Sequence, residues 1–339
     1  MLCGFRFFTA LLAIGLFTVS SEAKSSKIRF LIRDRLNDAF PPFPEDEAVS
    51  IPPEILWHFI STLKVIVSDY STDPNKDAYQ NLWDQNIIYL GKSLCHSNLT
   101  NNIIIADLSA ITSTEVSKFA DIIQSVHDAG RDLADFVIKM KENGHFLSWN
   151  NTQFIGLGIG AHVAAVAAQI IQKEKKEKIQ RLTGLDPLSP GFIGGANKYK
   201  DDAVAITKDD AEFVKIIHCN MGNANTFDDA VKQGRFGSSV ESGHVHIYAN
   251  GGEQMPTCKQ EYETPDRLCS HRKCAAFLAN SMRQEVSPLA CPCDNWESFS
   301  AGKCSCTKET GGIDVSYQTT LQASGKYYAD VPEALLVTP

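Results

Sequence analysis

The stretch with the most chemical content is Phe154-Ile155-Gly156-Leu157-Gly158-Ile159-Gly160-Ala161-His162-Val163-Ala164. An apolar, β-rich run breaks at three alternate glycines and resumes as an alanine-rich helical run. A strand-to-helix turn written Gly-x-Ser-x-Gly is a nucleophile elbow, whose apex residue presents its hydroxyl at a helix N-terminus. The bracketing glycines are required because strand and helix come too close for a side chain to fit. Both brackets, Gly156 and Gly160, are present, but the apex is Gly158, which has no hydroxyl. Such glycines also serve phosphate binding, yet neither a Lys-Ser/Thr pair nor Gly-x-Gly-x-x-Gly accompanies them.

Other groups that could do chemistry have blander readings. His162 reads as a buried structural histidine on the helix after the turn. His244 and His246 alternate along a strand and so face opposite sides, which argues against a shared metal. Asp201-Asp202 and Asp209-Asp210 read as solvated loop carboxylates rather than calcium ligands. Cys291-x-Cys293 and Cys304-x-Cys306 resemble a zinc site in outline, but the spacing favours disulfides over the usual Cys-x-x-Cys knuckle. No metal or other cofactor is expected.

The elements that position the turn follow from periodicity. Arg29 to Arg33, Leu63 to Val67, Asn102 to Ala106, Gln153 to Leu157 and Leu182 to Leu185 read as buried strands. A long helix opens with a capping box at Thr112-x-x-Glu115 and stops at Gly144. Its apolar residues Val116, Phe119, Ile122, Ile123, Val126, Leu133, Phe136, Val137 and Met140 recur at helical spacing. A second helix runs from Ala161 to about Lys178. Alternation of strands and helices means a mainly parallel sheet covered on both faces.

The chain has 339 residues and a net charge of −8, with no basic cluster interleaved with aromatics, so nucleic acid is not an expected partner. Arg6, the apolar run Phe7 to Val19 and the small residues around Ala23 form a secretory signal, with residues 1–23 removed. The run is too short for a membrane anchor, and no later segment spans. Residues 24–339 are expected to form one domain. Nine cysteines then remain in an oxidising compartment, so most should pair and one is left over. The two Cys-x-Cys pairs should bond to each other, nested or crossed. Asn98-Leu99-Thr100 and Asn150-Asn151-Thr152 are glycosylation sequons.

The residues around the elbow resemble the pancreatic-type lipase family, whose run is Gly-His-Ser-Leu-Gly-Ala-His-Val-Ala. Leu182-Thr183-Gly184-Leu185-Asp186-Pro187 resembles the segment with the triad acid, which maps onto Asp186. Asp210-Ala211-Glu212-Phe213-Val214 through His218, and Gly243-His244-Val245 through Gly252, are similar to segments that follow it. Cys269-Ser270-His271-Arg272 matches the segment with the triad histidine, which maps onto His271. The resemblance covers about Ile28 to Tyr328. It implies an α/β-hydrolase fold, lipase-type N-terminal domain only, without the family's C-terminal β-sandwich. It also implies a Cys258–Cys269 disulfide closing a lid. Here that lid is short and polar (Lys259, Gln260, Glu261, Glu263, Asp266 and Arg267), which argues against strong adsorption to oil surfaces. Which of Cys95, Cys219 and Cys274 is unpaired stays open.

Three departures bear on function. Gly158 cannot form an acyl-enzyme, and removing the serine of such a triad costs about 10⁶ in kcat. The family's His-Gly-Phe/Trp, which supplies an oxyanion donor, maps onto Ser68-Asp69-Tyr70. The N–H groups of Tyr70 and Ile159 are the oxyanion-hole positions, but Asp69 puts a carboxylate where the family has glycine. A like charge ~4 Å from the developing oxyanion opposes it by about 4 kcal/mol at an effective dielectric of 20. This reads as a second lesion independent of the first. Leu157 replaces the histidine before the nucleophile. Asp186 and His271 are then expected to persist as a packed, hydrogen-bonded pair.

The function these residues imply is a secreted, catalytically inactive lipase homologue. It binds or carries a lipid or hydrophobic small molecule, or serves as an extracellular storage protein. The dipteran yolk proteins, which also lack the serine, are similar in the Asp-Ala-Glu segment, although their long extra segments are missing here. The alternatives are residual ester or phospholipid hydrolysis, with His271 and Asp186 activating water, and an extracellular interaction protein without ligand. Because Gly158 has no hydroxyl, no fluorophosphonate labelling and no acyl-ester turnover above a heat-killed control are expected. Stoichiometric labelling of a serine in the cleft would overturn that.

Overall fold

The computed structural model describes residues 28–32, 40, 42–43, 62–69, 82–97, 101–109, 119–192, 205–258, 268–283, 288–316 and 319–337. The signal segment, the capping box at Thr112, the lid interior (259–267), Asp201-Asp202, Tyr70 and the Asn98 sequon lie outside them.

Thirteen strands are described: β1 (Arg29–Ile32), β2 (Pro42–Phe43), β3 (Leu63–Val67), β4 (Asn102–Asp107), β5 (Thr152–Leu157), β6 (Arg181–Leu185), β7 (Phe213–His218), β8 (Met221–Gly222), β9 (Gly237–Ser238), β10 (Val245–Ala249), β11 (Leu289–Pro292), β12 (Ile313–Asp314) and β13 (Gly325–Ala329). Eleven of them form one sheet in the order β12-β11-β13-β10-β7-β6-β5-β3-β4-β1-β2. From β4 to β13 through β3, β5, β6, β7 and β10 every pairing is parallel. β1 and β11 run antiparallel to their neighbours β4 and β13. The five expected strands are all present, with ends moved by a residue or so.

The helices are α1 (Leu82–Ser97), α2 (Phe119–Glu142), α3 (Ile159–Lys175), α4 (Phe227–Gln233), α5 (Cys269–Ser281) and α6 (Trp296–Ser300). Because side chains alternate along a strand, each central strand feeds two cores. Leu63, Val65 and Val67 of β3 pack with Leu133, Val137 and Met140 of α2 and with α3. Ile66 points the other way, into a core with Leu90 and Leu94 of α1 and Phe277 and Leu278 of α5. Covering both faces explains why these strands read as continuous apolar runs. α3 starts at Ile159, two residues earlier than expected, and ends at Lys175 because Lys176 turns left-handed (φ 61°). The sequence pattern did not reveal α1, whose apolar residues are diluted by polar ones.

Four disulfides are described. Cys258–Cys269 closes the segment read as a lid, and the Cys-x-Cys pairs are nested as Cys291–Cys306 and Cys293–Cys304. Cys219–Cys274 ties the end of β7 to α5. Of the three cysteines whose pairing the sequence left open, Cys219 and Cys274 are thus bonded to each other.

Candidate functional site

Three neighbouring strands of the parallel sheet end together, and each is followed at once by a residue singled out above. Asp69 lies two residues beyond β3, Gly158 one beyond β5 and Asp186 one beyond β6. The carboxyl ends of parallel strands are where an open α/β sheet builds its sites. His271 arrives from the first turn of α5.

The turn is an elbow in its geometry. Gly158 sits at φ 54°, ψ −115°, a region that L side chains rarely adopt. A Cβ at Gly156 would strike the backbone of Gly160 and Ala161, and one at Gly160 would strike the carbonyl oxygens of Val67 and Ser68. The bracketing glycines are therefore set by the close approach of strand and helix. Leu157, where the family carries histidine, is buried in the core shared with α1 and α5.

Asp69 occupies the space above the apex. A Cβ placed on Gly158 would lie under 3.0 Å from Cγ, Oδ1 and Oδ2 of Asp69. Oδ1 accepts the Ile159 N–H at 2.9 Å, and Oδ2 meets Nε2 of His271 at 2.9 Å. On the far side of the ring, Nδ1 meets Oδ2 of Asp186 at 2.5 Å. The other oxygen of Asp186 accepts the N–H groups of Cys219 (2.8 Å) and Asn220 (2.9 Å). The side chains of Asp69, His271 and Asp186 are 4 %, 1 % and 0 % exposed.

Both ring nitrogens of His271 face carboxylate oxygens, so both carry protons that they donate. Burial is the largest influence on this ring and favours the neutral form. The charge of Asp69, the hydrogen bonds to Asp186 and Asp69 and the charge of Asp186 outweigh it and raise the pKa to about 10. The N-terminal position on α5 works against a cation as well, so the two carboxylates carry the imidazolium alone.

The structure corrects the expectation for Asp69 on two points. It does not stand off from the oxyanion position as a repelling charge; it sits on the Ile159 donor itself. Nor is it independent of Gly158, because the carboxylate takes the space that a side chain at the apex would fill. Sequence reasoning also missed the role of Cys219, whose N–H holds Asp186 while its disulfide to Cys274 anchors the helix that brings His271. The pairing of a carboxylate at a usual glycine with a glycine at the usual serine was a signal of exchanged volume.

The remaining histidines fit their structural readings. His162 is 1 % exposed, stacks on Phe192, donates from Nε2 to the Leu188 carbonyl at 2.9 Å and accepts Ile206 N–H at Nδ1. Burial lowers its pKa to about 4. His244 accepts the Val214 N–H, whereas His246 bonds to His218 at 3.0 Å, so the two are apart. Asp209 is exposed, as a solvated loop carboxylate should be, but Asp210 is not: it is 2 % exposed and accepts from the Thr207 N–H and the Gln169 side chain. Lys215 was not anticipated: it is buried within β7 and donates to the carbonyls of Val315 and Ser316.

A mainly parallel sheet with helices on both faces, an elbow after β5, and an acid and a histidine following in that chain order define an α/β-hydrolase. The sequence profile of the Lipase family matches residues 14–329, and the chain belongs to that family. It is similar to lipoprotein lipase of Gallus gallus, 31% identical over 193 residues, covering 53% of this chain and 36% of that one. The Homo sapiens lipoprotein lipase is likewise 31% identical over 193 residues, covering 53% and 37%. The chain thus spans little more than a third of the length of those relatives. Among solved structures it is similar to Est1E from Butyrivibrio proteoclasticus, at 14% identity and a TM-score of 0.27, covering 52% of this chain and 74% of that one.

Two outcomes follow from the geometry. Gly158→Ser should destabilise the protein, because the new Cβ displaces Asp69 and the strained backbone alone costs about 1–3 kcal/mol. Combining it with Asp69→Gly should be far less damaging than the sum of the two changes, and should recover more ester hydrolysis than either alone. Denaturation midpoints and an acyl-ester assay across the four proteins check this, and additive effects would separate the two residues. The second outcome concerns pH. The His271 pKa is raised from 6.5 to about 10 on folding, so its stabilisation is complete below about pH 6.5 and lost as pH rises through about 10. Lys64 and Lys215, lowered mainly by burial to about 7, shift stability the opposite way over that range. The quantity to measure is therefore the stability difference between wild type and His271→Gln. That difference should shrink toward alkaline pH, and a difference independent of pH would exclude a buried imidazolium.

Proposed function

We propose that this protein is a secreted member of the Lipase family that has exchanged acyl-transfer chemistry for binding, as a carrier or store of a lipid or hydrophobic small molecule. The observation that carries the loss of chemistry is the Asp69 carboxylate bridging the Ile159 N–H and His271 Nε2, each at 2.9 Å, above an apex with no side chain. Three requirements of the hydrolytic mechanism are affected at once. No hydroxyl is present at Gly158 to attack a carbonyl. The Ile159 N–H, which would stabilise an oxyanion, already has an acceptor. His271 carries both ring protons and hands one to each carboxylate, so it has no lone pair with which to take a proton from serine or from water. That last feature also weighs against direct water activation by His271 and Asp186.

The lipid-binding half of the proposal draws on membership of the family, and secretion on the signal-like N-terminus and the four disulfides, which suit an oxidising compartment. Asn150, in the second sequon, is exposed, as glycosylation requires. Among the described residues an apolar hollow of about 40 Å³, room for a few waters, is lined by His162, Leu188, Phe192 and Ile216. The acyl site is proposed at the carboxyl ends of the strands, beside the elbow, where an open α/β sheet builds its sites.

Organic-solvent extraction of protein purified from its source, followed by mass spectrometry, should release a hydrophobic ligand in stoichiometric amount. An empty protein that also fails to bind monoacylglycerols, lysolipids and steroids at micromolar concentration would overturn the carrier reading in favour of an interaction protein.

A further inference from the structure

Asp69 fills more than the space of a lost hydroxyl. The Ile159 N–H lies in the first turn of a 17-residue helix, where unpaired peptide N–H groups favour an anion. His271 cannot turn away, because Asp186 fixes its other nitrogen at 2.5 Å and the ring is buried. Two donors from two separate elements therefore converge on one point, and a carboxylate sits there with one oxygen on each donor. This is a built anion site whose anion belongs to the protein.

We infer that Asp69 is the resident ligand of a carboxylate-binding site formed by Ile159 and His271, and that it makes the cleft select neutral headgroups, alcohols or uncharged esters, over carboxylates such as fatty acids. The selectivity half rests on the lipid-binding reading above; the anion site does not. Asp69, His271 and Asp186 together bear one positive and two negative charges. An incoming carboxylate brings only acceptors, meets a net negative site, and finds both donors taken. A hydroxyl headgroup can still donate to a remaining lone pair on the Asp69 carboxylate.

Formate has the size of the group removed by Asp69→Ala, so it serves as the probe. At about pH 7 it is ionised, and it is titrated into wild type and Asp69→Ala while the thermal midpoint is followed, with chloride at equal ionic strength as control. A saturable, formate-specific rise confined to Asp69→Ala is expected. No such rise, or an equal one in wild type, overturns the anion site. If the variant does not stay folded, its refolding yield with and without formate gives the same answer: recovery that depends on formate supports the site, and none overturns it. The selectivity is tested on wild type with dodecan-1-ol against dodecanoate, where at least tenfold tighter binding of the alcohol is expected and equal or tighter binding of dodecanoate overturns it. Formate rescue of the variant together with a wild type that binds neither lipid supports the anion site while overturning the lipid-binding reading and the selectivity drawn from it.

Discussion

A buried histidine ring held between two carboxylates is the constraint on which this end of the molecule depends. Burying charges is costly, and a buried ion pair is tolerated only when every partner is satisfied. Here the satisfaction is complete among the atoms that matter. Asp186 gives one oxygen to the ring and the other to two backbone N–H groups, Asp69 divides its oxygens between the ring and the elbow, and both ring protons are placed. The triad joins the ends of β3 and β6 to the start of α5 and to the elbow. Asp186 itself is held at a positive φ of 44°, and a side chain on the facing Gly237 would collide with its carboxylate. Surroundings this tightly determined leave one arrangement for the acid.

The arrangement changes how the departures from a hydrolytic site relate to one another. Read along the chain, a missing serine and an added aspartate are two losses. In space they are one exchange of volume and charge: an apex without a side chain leaves room for a carboxylate from the neighbouring strand, and that carboxylate meets the ring nitrogen opposite Asp186. Leu157 belongs to a different account. It lies in the core between the sheet and α1 and α5, so at this position an apolar side chain has taken up packing.

The disulfides divide in a similar way. Cys258–Cys269 and the nested Cys291–Cys306 and Cys293–Cys304 each close a short span of 11 to 15 residues. Cys219–Cys274 spans 55 and acts at the site, because it fastens the peptide that caps Asp186 to the helix that carries His271 one turn earlier.

Periodicity and turn chemistry act between near neighbours, and the features they govern were legible in the residues alone. The five strands read from periodicity, the helix after the elbow, the bracketing glycines, the order of chain segments and the family resemblance all depend on spacings of a few residues. So did the structural reading of His162 and the pairing of the Cys-x-Cys motifs with each other, although not whether they nest or cross. The tertiary structure alone decided what Asp69 does. Its partner His271 lies 202 residues away and the Ile159 N–H 90 away, and a charge at a given position can repel, pair or solvate according to what the fold brings within 3 Å. The same holds for Cys219 with Cys274, and for Lys215, which strand pattern would place among apolar neighbours and which the fold supplies with carbonyl acceptors about 100 residues on. Sequence spacing specifies which faces meet; the distance between two side chains from remote strands is a property of the packed sheet.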